Sequence, residues 1–180
     1  EVQPGVPASL IPLPEHAPVN RLGLAQWMID KDHPLTSRTF VNRIWEQLMG
    51  KGLVETLEDF GTQGAEPTHP ELLDYLAWHF MHDLNWSVKG LIKTILMSHT
   101  YRQQSINTEE MMRKDPYNLY YARAPRVRLT AEQIRDQALY VSGLLSPKMY
   151  GPPVMPYQPE GIWLSPYNSD KWVMSEGEDR

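Results

Sequence analysis

Thr68-His69-Pro70-Glu71-Leu72-Leu73-Asp74-Tyr75-Leu76-Ala77-Trp78-His79-Phe80-Met81-His82-Asp83-Leu84 is the stretch that decides the fold. Thr68 and Glu71 have capping-box spacing, in which each side chain bonds the other residue's exposed amide. Pro70 falls in the first turn, where a missing N–H costs nothing. Leu72, Leu73, Leu76, Ala77, Phe80 and Leu84 recur at helical spacing as one apolar face. Tyr75, Trp78 and His82 lie roughly opposite. A helix apolar or aromatic on both sides is the buried centre of a helical domain. This helix, ending near Asn85, is therefore read as the hub of a mainly α fold.

Upstream, Asn20 is an N-cap signal for a helix to about Ile29, with Val19 and Leu24 as a hydrophobic staple. Its expected buried residues are Leu24, Trp27 and Met28. A second helix starts near Thr36 or Ser37 and carries Phe40, Val41, Ile44, Trp45, Leu48 and Met49 on one face. Gly50 and Gly52 end it, while Asn42 and Arg43 flank the stripe and can reach inward. Leu53 to Gly64 reads as a loop.

Downstream, Ser87 caps a helix with Val88, Leu91, Ile92, Ile95 and Leu96 on its inner face, and His99 on that face at its end. Thr108 to Arg113 forms a helical turn. Asp115-Pro116 has the cap-then-proline pattern of a further short helix through Tyr121, and Arg123 to Arg128 reads as extended. Thr130 and Gln133 form a second capping box, opening a helix expected to bury Ile134, Ala138, Val141 and Leu145. Helix should cover about half the chain, above the usual third or so.

Prolines gather at both ends. Pro4, Pro7, Pro12, Pro14 and Pro18 make residues 1–19 an extended arm, since so many prolines forbid a helix. Residues 20–146 form the helical domain. Residues 147–180, rich in Pro, Gly, Trp and Tyr without a period, form an irregular tail, a truncated continuation of the same domain.

A net charge of −5 over 180 residues argues against a general nucleic-acid binder, which needs a basic stripe. It leaves room for a small basic pocket. No apolar run approaches the roughly 18 residues needed to span a bilayer. With no cysteine, the segment has no disulfide, no Cys-ligated zinc and no thiol chemistry. The chain opens on Glu1 rather than Met, so it reads as a piece of a longer protein.

Three constellations carry possible chemistry. Asp59, His69 and Asp74 place an imidazole at the first turn of the hub helix near a loop aspartate, as an acid–base pair would require. The competing structural reading has Asp59 capping a turn and His69 bonding a backbone carbonyl. Glu132 and Asp136 lie four apart on one helix face, where like charges repel. Arg126 or Arg128 is expected to fold back and pair with them, unless they serve as a catalytic carboxylate pair. Arg43, Arg102, Arg126, Arg128 and Arg135 offer guanidinium forks for carboxylate, sulfate or phosphate, although most should find internal partners. Arg43, Arg102 and Arg128 are the ligand-binding candidates among them.

Trp27, Trp45, Trp78 and Trp86 occupy helical or capping positions and read as core. Trp163 and Trp172, in the irregular tail, are the better stacking platforms. No histidine pair has a metal-ligand spacing with a third ligand in sequence, so no metal is expected. Gly-rich phosphate loops, G-x-S-x-G and H-E-x-x-H are absent from the sequence.

Several motifs, in this order, carry a family resemblance: Asn20-Arg21-Leu22-Gly23-Leu24-Ala25, Val41-Asn42-Arg43-Ile44-Trp45, Asp59-Phe60-Gly61, Thr68-His69-Pro70-Glu71-Leu72-Leu73-Asp74, Thr100-Tyr101-Arg102-Gln103 and Ile134-Arg135-Asp136. The chain resembles the C-terminal domain of unknown function found in planctomycete-type proteins that also carry a cytochrome-c-like domain. The resemblance implies an exported, periplasmic or extracellular, multi-domain parent. Haem would belong to another domain, since no CxxCH stands here. The implied partners are other domains of the same protein and carbohydrate. The leading expectation is a non-catalytic structural or interaction module beside a haem or carbohydrate-handling part. The alternatives are an extracytoplasmic polysaccharide hydrolase using a carboxylate pair and an electron-transfer docking domain.

Overall fold

A computed structural model describes residues 4–159, 161 and 173–176. These residues form six helices and no strand: α1 (Arg21–Met28), α2 (Thr36–Met49), α3 (Pro70–His82), α4 (Val88–Leu96), α5 (Glu109–Lys114) and α6 (Ala131–Ser142). The fold is mainly α, though helix takes nearer two-fifths of the described residues than the expected half. By compactness the chain divides into two units, Glu1–Val127 with α1 to α5 and Arg128–Arg180 with α6.

In the first unit α2, α3 and α4 pack against one another. Val41, Trp45 and Met49 of α2 meet Leu73, Leu76 and Phe80 of α3 and Leu91 and Ile95 of α4. Leu53 and Val54, from the loop after α2, complete this core. Asn42 holds that loop in place. It is fully buried, its Nδ2 donates to the Val54 carbonyl and its Oδ1 accepts from the Val54 amide, both at 2.9 Å. Gly52 lets the chain pass so close, because a Cβ there would stand 2.5 Å from the Val54 oxygen.

Most helix ends follow their sequence signals. Asn20 Oδ1 accepts from the Leu22 and Gly23 amides, Ser87 from Gly90, and Thr108 from Met111. Thr130 and Gln133 form both bonds of their capping box. Gly50, at φ 80°, closes α2 in the left-handed conformation.

The hub keeps its central face but not its expected cap or its second buried side. Thr68 is occupied elsewhere: its amide and hydroxyl both donate to the Leu53 carbonyl, so the capping box with Glu71 does not form. Tyr75 and Trp78 are about half exposed, at 57% and 51%. Each lies flat against a histidine one turn on, His79 and His82, so they are surface stacks rather than core. Trp78 is thus corrected from core to surface. Asn85 and Trp86 adopt positive φ after α3, turning the Trp86 indole edge-on to Phe80.

Other expected burials fail where a short helix has only one face to hide. In α1 Trp27 is buried, but Leu24 and Met28 are 44% and 45% exposed. His99 is exposed at the end of α4. No residue of α6 is buried; Ile134 and Val141 lie largely in solvent.

The short helix expected from Asp115 to Tyr121 is a set of turns instead. The Asp115 carboxylate accepts from the amides of Leu119 and Tyr120, a longer reach than an N-cap makes. Asn118 and Tyr121 then take positive φ, which a right-handed helix cannot accommodate.

Candidate functional site

The turns after α5 wrap around one side chain that the sequence did not flag. Arg123 is 6% exposed, and its Nη2 donates to the carbonyls of Asp115 and Pro116, both at 3.0 Å. Asn118 clamps the Arg123 backbone, donating from Nδ2 to the carbonyl and accepting the amide at Oδ1. Nη1 is buried without a hydrogen-bond partner, and no ion pair among the described residues reaches this guanidinium.

Tyr121 ties the wrapped segment to the core. Its hydroxyl accepts from Trp45 Nε1 at 3.0 Å, and its carbonyl accepts from Gln103 at 2.7 Å. The rings of Trp45 and Tyr121 meet edge to face, and the His69 ring packs on Tyr121 as well. Burial pushes the Tyr121 hydroxyl above the ordinary value of 10.0, against opposing pulls from Trp45, Thr68 and Lys51.

Between this segment and the end of α2 lies a cleft of about 370 Å³. Gly50, at φ 80°, turns the backbone there and leaves Lys51 on its wall. Lys51, Arg123 and Arg126 supply positive charge, Tyr117 and Tyr121 aromatic surface, and Asn107 an amide. No carboxylate or histidine lines it. Lys51 Nζ stands 5.9 Å from the Tyr117 ring centroid and pairs with the exposed Glu55 at 3.0 Å. Arg126 donates from Nε to the Ser105 carbonyl at 3.1 Å.

The residues expected to carry catalysis do not converge. Asp59 caps its own turn by accepting the Gly61 amide. His69 lies 3.0 Å from the Thr68 hydroxyl, and Asp74 pairs with Arg38 at 2.6 Å. Glu132 is exposed on α6. Asp136 faces Arg135 at 3.9 Å and lines a cleft of about 590 Å³ within the second unit, to which Lys148, Tyr150 and Glu176 also contribute but Glu132 does not.

Within the second unit the expected tie from Arg128 to these carboxylates is not formed among the described residues. Arg126 takes the Ser105 carbonyl, and Arg128 makes no ion pair among the described residues. Arg43 and Arg102 are exposed and do not line the cationic cleft. Trp163 and Trp172 lie outside the described residues.

His79 bonds the Asp83 carboxylate and His82 the Trp78 carbonyl, one turn away in each case. Among the described residues no group of His, Asp and Glu is placed to hold a metal ion. No helix there is long and apolar enough to cross a membrane. One further histidine has a structural task. His33 Nδ1 accepts from the Leu35 and Thr36 amides and so caps α2, a role its place in a turn before a proline did not advertise. Burial holds its pKa below 6.5, with Asp30 pulling the other way.

A family model describing PSD1, a protein of unknown function (DUF1553), matches residues 20–180. The chain belongs to this family. The match begins at the N-cap of α1 and takes in every helix of both units, so the cleft residues lie inside the shared domain. No curated protein and no solved structure matches the chain.

Proposed function

We propose that this domain is a non-catalytic interaction module of an exported multi-domain protein, working beside a haem or carbohydrate-handling part of the same chain. The observation that carries the reading is the make-up of the cleft at the end of α2, which joins cations, an amide and tyrosines without a carboxylate or a histidine. Such a wall can bind, but it lacks the usual groups that give and take a proton near neutral pH. The resemblance to planctomycete-type proteins with a cytochrome-c-like domain supports the haem neighbour and a periplasmic or extracellular setting.

Hydrolysis of a polysaccharide would need two carboxyl groups flanking one bond. Glu132 and Asp136 share a helix face, but the cleft of about 590 Å³ in the second unit is lined by Asp136 and not by Glu132. The test is to run the chain through gels containing neutral or acidic polysaccharides and to assay the same mixtures for new reducing ends. The module reading expects retardation without release. Release that Glu132→Gln or Asp136→Asn abolishes would replace it with the hydrolase.

A further inference from the structure

We propose that the cleft at the end of α2 binds an oxyanion carried on a sugar, a carboxylated or sulfated saccharide unit. Lys51 and Arg126 meet the anion and Tyr117 meets the ring. The inference rests on the binding-module reading and names its ligand class.

Charge is the first argument. The chain carries −5 overall, yet Lys51, Arg123 and Arg126 share one cleft whose lining contains no acidic side chain. A buried guanidinium held by two carbonyl oxygens and the Met112 sulfur, with no ion-pair partner among the described residues, is a costly charge in a low-dielectric interior. Arg123 therefore raises the positive potential of the wall, and an anion in the cleft lowers that cost.

Geometry adds direct contacts. The Arg126 bond from Nε to Ser105 fixes the guanidinium plane, and no described residue takes its two terminal nitrogens. A guanidinium held in this way presents a fork suited to a carboxylate or sulfate. Lys51 lies over the Tyr117 ring, and its one carboxylate partner among the described residues is the exposed Glu55, a surface pair weak enough for a better anion to displace.

The third argument is shape. Tyr117 is 76% exposed beside Lys51, an open aromatic face at the edge of the cationic wall. Aromatic faces of this kind suit a ligand with one apolar surface and one wet edge. A volume of about 370 Å³ sits at the small end of ligand pockets, which suits one sugar ring with its anionic group.

The experiment is calorimetric titration of the full chain at low salt with glucuronate, glucose 6-sulfate, glucose, inorganic sulfate and AMP. Both acidic sugars should bind, and glucose should give no heat. Affinity should fall by about tenfold as salt rises from about 20 to about 200 mM, because surface charge is screened over that range. Sulfate alone should bind about tenfold more weakly, for want of the ring contact. Arg126→Gln and Lys51→Gln should each weaken glucuronate by about tenfold, the size of one charge-assisted contact, with unchanged melting temperature. Tyr117→Ala should weaken glucuronate and leave sulfate unaffected.

Silence with every anion, equal binding of glucose and glucuronate, or unaltered affinity in Arg126→Gln would overturn the proposal. So would sulfate as tight as the acidic sugars, or AMP tighter than them. Gel retardation by a polysaccharide with the cleft silent removes this inference and leaves the module. Release of reducing ends removes the module itself.

Discussion

Replacing Asn42 by Ala should remove a large share of the stability of the first unit. Asn42 is 0% and Val54 2% exposed, and the two bonds between them are 2.9 Å each. Truncation leaves the Val54 N–H and C=O buried with no side-chain partner, and each orphaned group costs about 1–3 kcal/mol. The expected loss is about 2–5 kcal/mol, against a typical total of about 5–15 kcal/mol. Relaxation is restricted, because the neighbouring Leu53 carbonyl is held by both the amide and the hydroxyl of Thr68. Urea unfolding followed by tryptophan fluorescence reads the change as a lower midpoint at unchanged slope. Asn42→Asp is the control: it keeps an acceptor for the Val54 amide but sets a carboxylate against the Val54 oxygen, so it should be at least as damaging. A loss below about 1 kcal/mol, or a wild-type Asp variant, would refute the view that this amide organises the core.

Phe80→Ala should cost about 3–5 kcal/mol, since Phe80 is 2% exposed between Phe40 and Trp86; a loss under about 1 kcal/mol in the same assay would displace α3 from the centre. His33 has a lowered pKa in the fold, so its contribution is complete above about 6.5 and is lost as pH falls through 6.5 toward the folded value. Melting temperatures measured from about pH 7.5 to 5 should therefore decline less in His33→Asn, which keeps an acceptor without titrating, and parallel curves would count against the capping role. Tyr121 is shifted the other way: its contribution is complete below about 10 and is lost as pH rises from there through the folded value. Tyr121→Phe should lose less stability than wild type between about pH 9 and 11, and an identical alkaline decline would contradict the burial of that hydroxyl.

Helices were legible where two independent signals met. Asn20 and Ser87 each precede an apolar period, and Gly50 ends one, so capping and burial agree on the same boundary; at Thr130 the capping box alone marks the helix start, since α6 buries nothing. Asp115-Pro116 shows one signal misleading on its own. The carboxylate found amides further along the chain, and the buried Arg123 guanidinium drew two carbonyls onto itself. The aromatic residues on the outer side of α3 misled for another reason. Hydrophobicity cannot distinguish a ring packed in a core from one stacked on a histidine, although the four-residue spacing of Tyr75 to His79 and Trp78 to His82 was visible.

The cleft was largely hidden, because it joins the Gly50-Lys51-Gly52 turn to residues more than fifty positions on. One trace of it was present: Pro116 to Val127 contains two arginines and no acidic residue in an otherwise acidic chain. The carboxylates of α6 were easier to see. Their geometry could not be foreseen, because which of two exposed acids reaches a cleft depends on the course of the tail.

A crystal structure of the chain with glucuronate bound tests the central claim most directly. The account predicts the carboxylate on Arg126 and Lys51, with heavy-atom distances of about 2.7–3.2 Å, and the sugar ring against Tyr117. A ligand seated instead in the groove beside Trp78 and His82, or against Asp136 in the second unit, would contradict it.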